Sequence, residues 1–106
     1  MNDDKRELLR HTIATVAYRG RKVLVGAPDG FSTFRINGTS RTPGEILAHI
    51  CDLYDWANWL ARGEPTFKPT EPGEWSADVA RFFAALKELD DYLASDRPLG
   101  RSPVSM

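Results

Sequence analysis

The residues best suited to chemistry gather between positions 49 and 56. His49 and Asp52 stand three apart and Trp56 follows His49 at seven, so on a helix all three lie along one flank. At about 100° per residue, His49 falls about 80° from the middle of the apolar arc formed by its neighbours. An imidazole in that position can ligate a metal through one ring nitrogen while a carboxylate orients the other. It can equally be a packed boundary histidine with its ring satisfied by protein partners. His11, the other histidine, sits opposite the apolar stripe of its own helix, close in angle to Tyr18 and Lys22, and reads as a surface residue.

Other chemistries find little support. The single cysteine, Cys51, excludes an intramolecular disulfide framework and any multi-cysteine zinc site. It lies away from the apolar arc with no histidine obviously near it, which disfavours a nucleophilic thiol. There is no Gly-x-Ser-x-Gly elbow, no Cys-x-x-Cys motif and no glycine-rich phosphate loop in a strand–helix setting. No residue reads out a substrate.

Three amphipathic helices must position these groups, with long loops between them and no persuasive strand alternation or repeat. The first spans about 3–25, with Leu9, Ile13, Val16, Gly20, Val23 and Leu24 stepping by three and four along one face. Gly20 in that stripe predicts a close backbone approach. Gly26 and Pro28 then stop the helix. The second, about 43–62, has the sharpest ends. Thr42-Pro43-Gly44-Glu45 predicts a capping box with proline at the first helical position. Gly63 suits a left-handed cap. Ile46, Ile50, Leu53, Ala57 and Leu60 form its stripe, with Leu47, Tyr54 and Ala61 alongside. The third, about 76–95, is expected to open on Ser76 as N-cap with Asp78 in its first turn. Val79, Phe82, Phe83, Leu86, Leu89 and Leu93 share its face. In the loop at 27–42, Phe31, Phe34 and Ile36 are expected to plug one end of the bundle. The stretch 96–106 shows no periodicity. The expected fold is a single all-α, up-down helical bundle, up-down-up being its simplest arrangement.

The chain has 106 residues and a formal net charge of −1, ordinary for one globular domain. Neutrality hides a split: residues 1–41 carry eight basic and four acidic side chains, the remainder six basic and eleven acidic. Arg19, Arg21 and Lys22 complement the end of a helix, and Arg6 and Arg10 read as a solvated flank, so the split does not imply nucleic-acid binding. Outward-facing Trp59 and Tyr18 instead suggest a second packing surface or a dimer interface. Glu88, Asp90 and Asp91 read as solvating the third helix. No apolar run reaches the length of a membrane span, and the charged start does not read as a signal peptide, so a cytoplasmic protein is expected.

The segment Arg41-Thr-Pro-Gly-Glu-Ile-Leu-Ala-His-Ile-Cys-Asp-Leu-Tyr-Asp-Trp-Ala-Asn-Trp-Leu-Ala-Arg-Gly-Glu-Pro65 resembles the second helix of the DinB-like superfamily. Leu8 to Thr12 through Tyr18-Arg19, and Val79 to Leu86, resemble the helices on either side, so the resemblance covers roughly residues 3–100. It implies a four-helix bundle, often dimeric, that binds one divalent metal such as zinc or nickel through a histidine of the second helix and two of the fourth. Some relatives are thiol-dependent transferases or isomerases. His49 matches the second-helix ligand. Nothing after Ser95 reads as a fourth helix, and no histidine follows His49. Three protein ligands are the usual minimum for a catalytic ion, so the site expected here is partial or degenerate. Two functions follow. One is a metal-dependent enzyme that recruits its remaining ligands from another chain. The other is a non-enzymatic, oligomerising helical module that associates through apolar surface left uncovered, most simply as a homodimer.

Overall fold

A computed structural model describes residues 3–35, 37–64 and 67–98. Among the described residues it is all-helical: α1 spans Asp3–Leu24, α2 Pro43–Ala61 and α3 Trp75–Ala94, with one 3-10 turn at Phe31–Thr33. The helix bounds agree with the hydrophobic periodicity to within a residue. No helix among the described residues is long and apolar enough to cross a membrane.

The sharp ends of α2 form as their chemistry requires. The Glu45 N–H donates to Thr42 Oγ1 at 3.1 Å and the Thr42 N–H to Glu45 Oε1 at 2.8 Å, closing the capping box. The backbone bond from Thr42 holds the Glu45 carboxyl below its ordinary range, despite partial desolvation. Gly26 and Gly63 take φ of 84° and 82° where α1 and α2 end, a conformation that a side chain would strain. The start of α3 departs from expectation. Glu74, not Ser76, is the N-cap, and it caps without its side chain. Trp75 is drawn into the first turn by an edge-on contact with Phe31, their centroids 5.6 Å apart. Asp78 then folds back to accept the Gly73 N–H at 2.9 Å. Phe31 thus plugs the end of the bundle, whereas Phe34 is exposed and Ile36 lies outside the described residues.

The helix directions differ from up-down-up. On α1, Arg10 meets Asp90 and Arg21 lies over Phe83, so α1 is antiparallel to α3. On α2, Cys51 meets Asp78, Asn58 meets Ala85 and Arg62 meets Glu88, a constant or nearly constant offset that makes α2 parallel to α3. The order is up-down-down. A parallel neighbour requires the chain to return along the whole of α2. The segment 62–74 can do so, since thirteen extended residues reach about 43 Å whereas α2 is about 28 Å long.

The core is Ile13, Leu47, Cys51, Phe82, Leu86 and Leu93, centred on α3. Three placements correct the sequence reading. Cys51 is fully buried in this core rather than turned away from it. Arg6 is buried as well, donating to the carbonyls of Leu93 (3.4 Å), Ser95 (2.9 Å) and Arg97, and so satisfying acceptors left open at the end of α3. Arg10 is likewise no solvated flank, because it binds Asp90 across the α1–α3 seam at 2.9 Å.

Gly20 is closely approached, but by a side chain and not by the neighbouring backbone its position predicts. A Cβ there would lie 2.9 Å from Cε2 of Phe82, whose ring is wedged edge-on by Phe83 and Tyr54. Gly20→Val should therefore destabilise the chain by about 1–3 kcal/mol, read as a lower urea midpoint. An unchanged midpoint would show that the ring can swing aside.

Candidate functional site

Two places on α2 matter: its outer edge, which carries His49, and the seam it forms with α3. His49 is exposed. It stands one turn from Ile46 and one from Leu53, on the edge of α2 away from the α3 seam. The carboxylate expected beside it points elsewhere. Asp52 is 3 % exposed and belongs to the seam, where its oxygens accept from the Thr70 N–H (2.9 Å), Thr70 Oγ1 (2.7 Å) and Arg81 NH2 (2.9 Å). Arg81 also reaches Asp55 at 2.6 Å and Thr70 Oγ1 at 3.1 Å. The structure thus separates His49 from Asp52. Among the described residues no cluster of three or more His, Cys, Asp or Glu side chains could hold a metal ion.

The Asp52 cluster ties the returning loop to the α2–α3 seam. Burial alone would raise the Asp52 carboxyl, but the bonds from Arg81 and Thr70 outweigh it and hold the group below its ordinary range. A depressed carboxylate stabilises the fold above the unfolded-state value of about 4, and that contribution disappears as pH falls through the lower folded value. Wild type should therefore lose more stability than Asp52→Asn between neutral and strongly acid pH. Parallel pH profiles of the urea midpoint would contradict this.

Cys51 does not serve as a nucleophile in this setting. Its Sγ lies 3.4 Å from the Asp78 carbonyl, and burial pushes the thiol up to about 11, far from the thiolate that attacks. Nothing in the hydrophobic pattern or the motifs points to Arg81 or Thr70. The only signal pointing to them was an acid next to Cys51, on a helix face otherwise made of small residues.

The outward tryptophans are partly dressed by the same returning loop. Phe67 meets Trp56 edge-on at 6.3 Å, and Lys68 Nζ stands 5.9 Å over the ring of Trp59, which is half-buried. Tyr18 stays 63 % exposed under Lys22.

A groove of about 840 Å³ lies between α1 and α2. Phe82 and Trp75 of α3 and Phe31 of the linker contribute to it from below. Its walls are Val16, Gly20, Val23 and Leu24 on one side and Pro43, Ile46, Leu47, Ile50, Leu53, Tyr54 and Ala57 on the other. Arg19 is the one charged residue lining it, and it makes no hydrogen bond or ion pair among the described residues. Because α3 packs against both α1 and α2, the groove is the fourth corner of a bundle that has three helices in place.

No family model matches the chain, and no curated protein or solved structure matches it.

Proposed function

We propose that this chain is a self-associating helical module of the DinB-like kind, with the open corner between α1 and α2 as its interface. One observation carries the reading: part of the apolar stripe of α2, expected to be core, is left at the surface. Ile46 is 45 % and Leu53 40 % exposed, and Val23 across the groove is 64 % exposed. Apolar residues gathered at the rim of one continuous groove mark an interaction surface, whereas single exposed residues need no explanation. Association that covers the groove stabilises the folded chain by mass action, so the unfolding temperature should rise with protein concentration. A transition temperature constant across a hundredfold dilution would overturn the reading.

A divalent-metal centre is the second reading, supported by the match of His49 to the ligand position of the family it resembles. The described residues do not complete such a centre, since His49 stands alone and Asp52 is committed to Arg81. A zinc or nickel ion there would need donors from elsewhere. Chain purified without a histidine tag should therefore carry well under one equivalent of metal. Stoichiometric metal that disappears in His49→Ala would establish the metal reading instead.

A further inference from the structure

We infer that residues 67–73 form a strap that opens and closes over the outer face of α2 as one unit while the helices stay in place, with the Asp52–Thr70 contact as its latch. The inference does not depend on the self-association proposed above.

The way the strap is held sets it apart from the rest of the chain. Its residues are all exposed, and none of them belongs to the core. Among the described residues no backbone–backbone hydrogen bond ties 67–73 to a helix. Its hydrogen bonds and ring contacts end on side chains of α2 and α3 instead. Phe67 meets Trp56, Lys68 stands over Trp59, and Thr70 donates to Asp52 through both its N–H and its hydroxyl. At the far end the Gly73 N–H donates to Asp78. A segment with few buried apolar contacts and exposed backbone opens at a lower free energy than packed helices do. The core that joins the helices contains no strap residue, so it stays assembled when the strap lifts.

Asp52 suits the part of latch. Hydrogen bonds to an ionised carboxylate are roughly twice as strong as neutral ones, so the two bonds from Thr70 outweigh the ring contacts of Phe67 and Lys68. Opening does not strand the charge. Arg81 belongs to α3 and remains beside Asp52 (2.9 Å) and Asp55 (2.6 Å) when Thr70 leaves, and water takes the place of Thr70. The two states therefore differ by a few exchangeable bonds, and the movement is reversible.

Opening changes the surface. Phe67 and Lys68 leave the indoles of Trp56 and Trp59, and Trp56 stands one turn from Leu53 on the groove wall. The apolar edge of α2 lengthens, so the strap sets how much of that edge is available for contact.

Native-state hydrogen exchange on the full chain tests this, because the Thr70 and Gly73 amides are bonded across the strap. The Leu86 amide, at the centre of α3, reports unfolding of the whole. The expected result is one shared protection factor for Thr70 and Gly73, at least about a hundredfold below that of Leu86. Thr70→Val removes the hydroxyl and keeps the N–H; it should lower both strap protections about tenfold and leave Leu86 unchanged. Equal protection at Thr70, Gly73 and Leu86 would mean that the strap opens only with the whole fold, and would overturn the inference. A Gly73 amide indifferent to Thr70→Val would do the same, since the two anchors would then open separately. Tenfold loss at Leu86 would place the latch in the global fold, and an unprotected Thr70 amide would show no closed strap; either result also overturns it.

Discussion

Replacing Arg81 with alanine is expected to cost about 3–5 kcal/mol of stability, one of the two largest effects of any exposed or half-exposed substitution in this chain. The change removes few apolar contacts; its cost comes from what it leaves behind. Asp52 is 3 % exposed and loses the cation that pairs with it at 2.9 Å, while Asp55 loses the same partner. A buried carboxylate without a counter-charge is far costlier than the pair was beneficial, because desolvation is no longer offset. Thr70 still donates two bonds to Asp52, which limits the loss. Restoring neutrality isolates the cause. Arg81→Ala combined with Asp52→Asn should recover part of the deficit, since an amide in that place carries no charge to bury. Urea unfolding of the two variants measures this. A double variant no more stable than Arg81→Ala would locate the cost in packing and not in the orphaned charge.

The second large effect concerns association. Leu53→Asp should raise the dimer dissociation constant at least about a hundredfold, since symmetry buries two carboxylates and each costs several kcal/mol. The monomer should barely notice, because Leu53 is already 40 % exposed and its substituted carboxylate stays in water there. A variant that leaves the monomer folded and abolishes the dimer separates interface from core. Leu86 offers the contrast: it is buried almost completely at the centre of α3, so Leu86→Ala should lower stability by about 2–5 kcal/mol before any partner is involved.

The groove also explains which parts of the molecule were legible in the sequence. Thr42, Glu45 and Gly63 act within a turn of themselves, so their roles follow from local chemistry and needed no knowledge of the fold. The face that α2 buries does not follow from local chemistry. Ile46, Ile50 and Leu53 are its most apolar residues, and periodicity takes the most apolar arc as the core. In the chain the close seam with α3 is made instead by Ala48, Cys51, Asp52 and Asn58, small or polar residues that let two parallel helices approach. Asn58 donates to the Ala85 carbonyl at 3.1 Å across that seam, a contact no hydrophobic pattern encodes. The helix directions were hidden for a related reason, because thirteen residues between α2 and α3 are long enough to turn back either way. Arg6 reads as one more surface cation until the end of α3 is known to lie beside it. His49 was legible as a candidate and lies on the outer edge of α2, but the carboxylate expected to orient it is buried one turn on and bound to Arg81 and Thr70.

Sedimentation equilibrium on the tag-free chain and on Leu53→Asp, over the same concentration range, tests the central claim most directly. The open corner as a self-association surface predicts two copies for the wild-type chain and one for the variant, both with unchanged helical content. A single copy for both proteins at every concentration, or two copies for both, would contradict it.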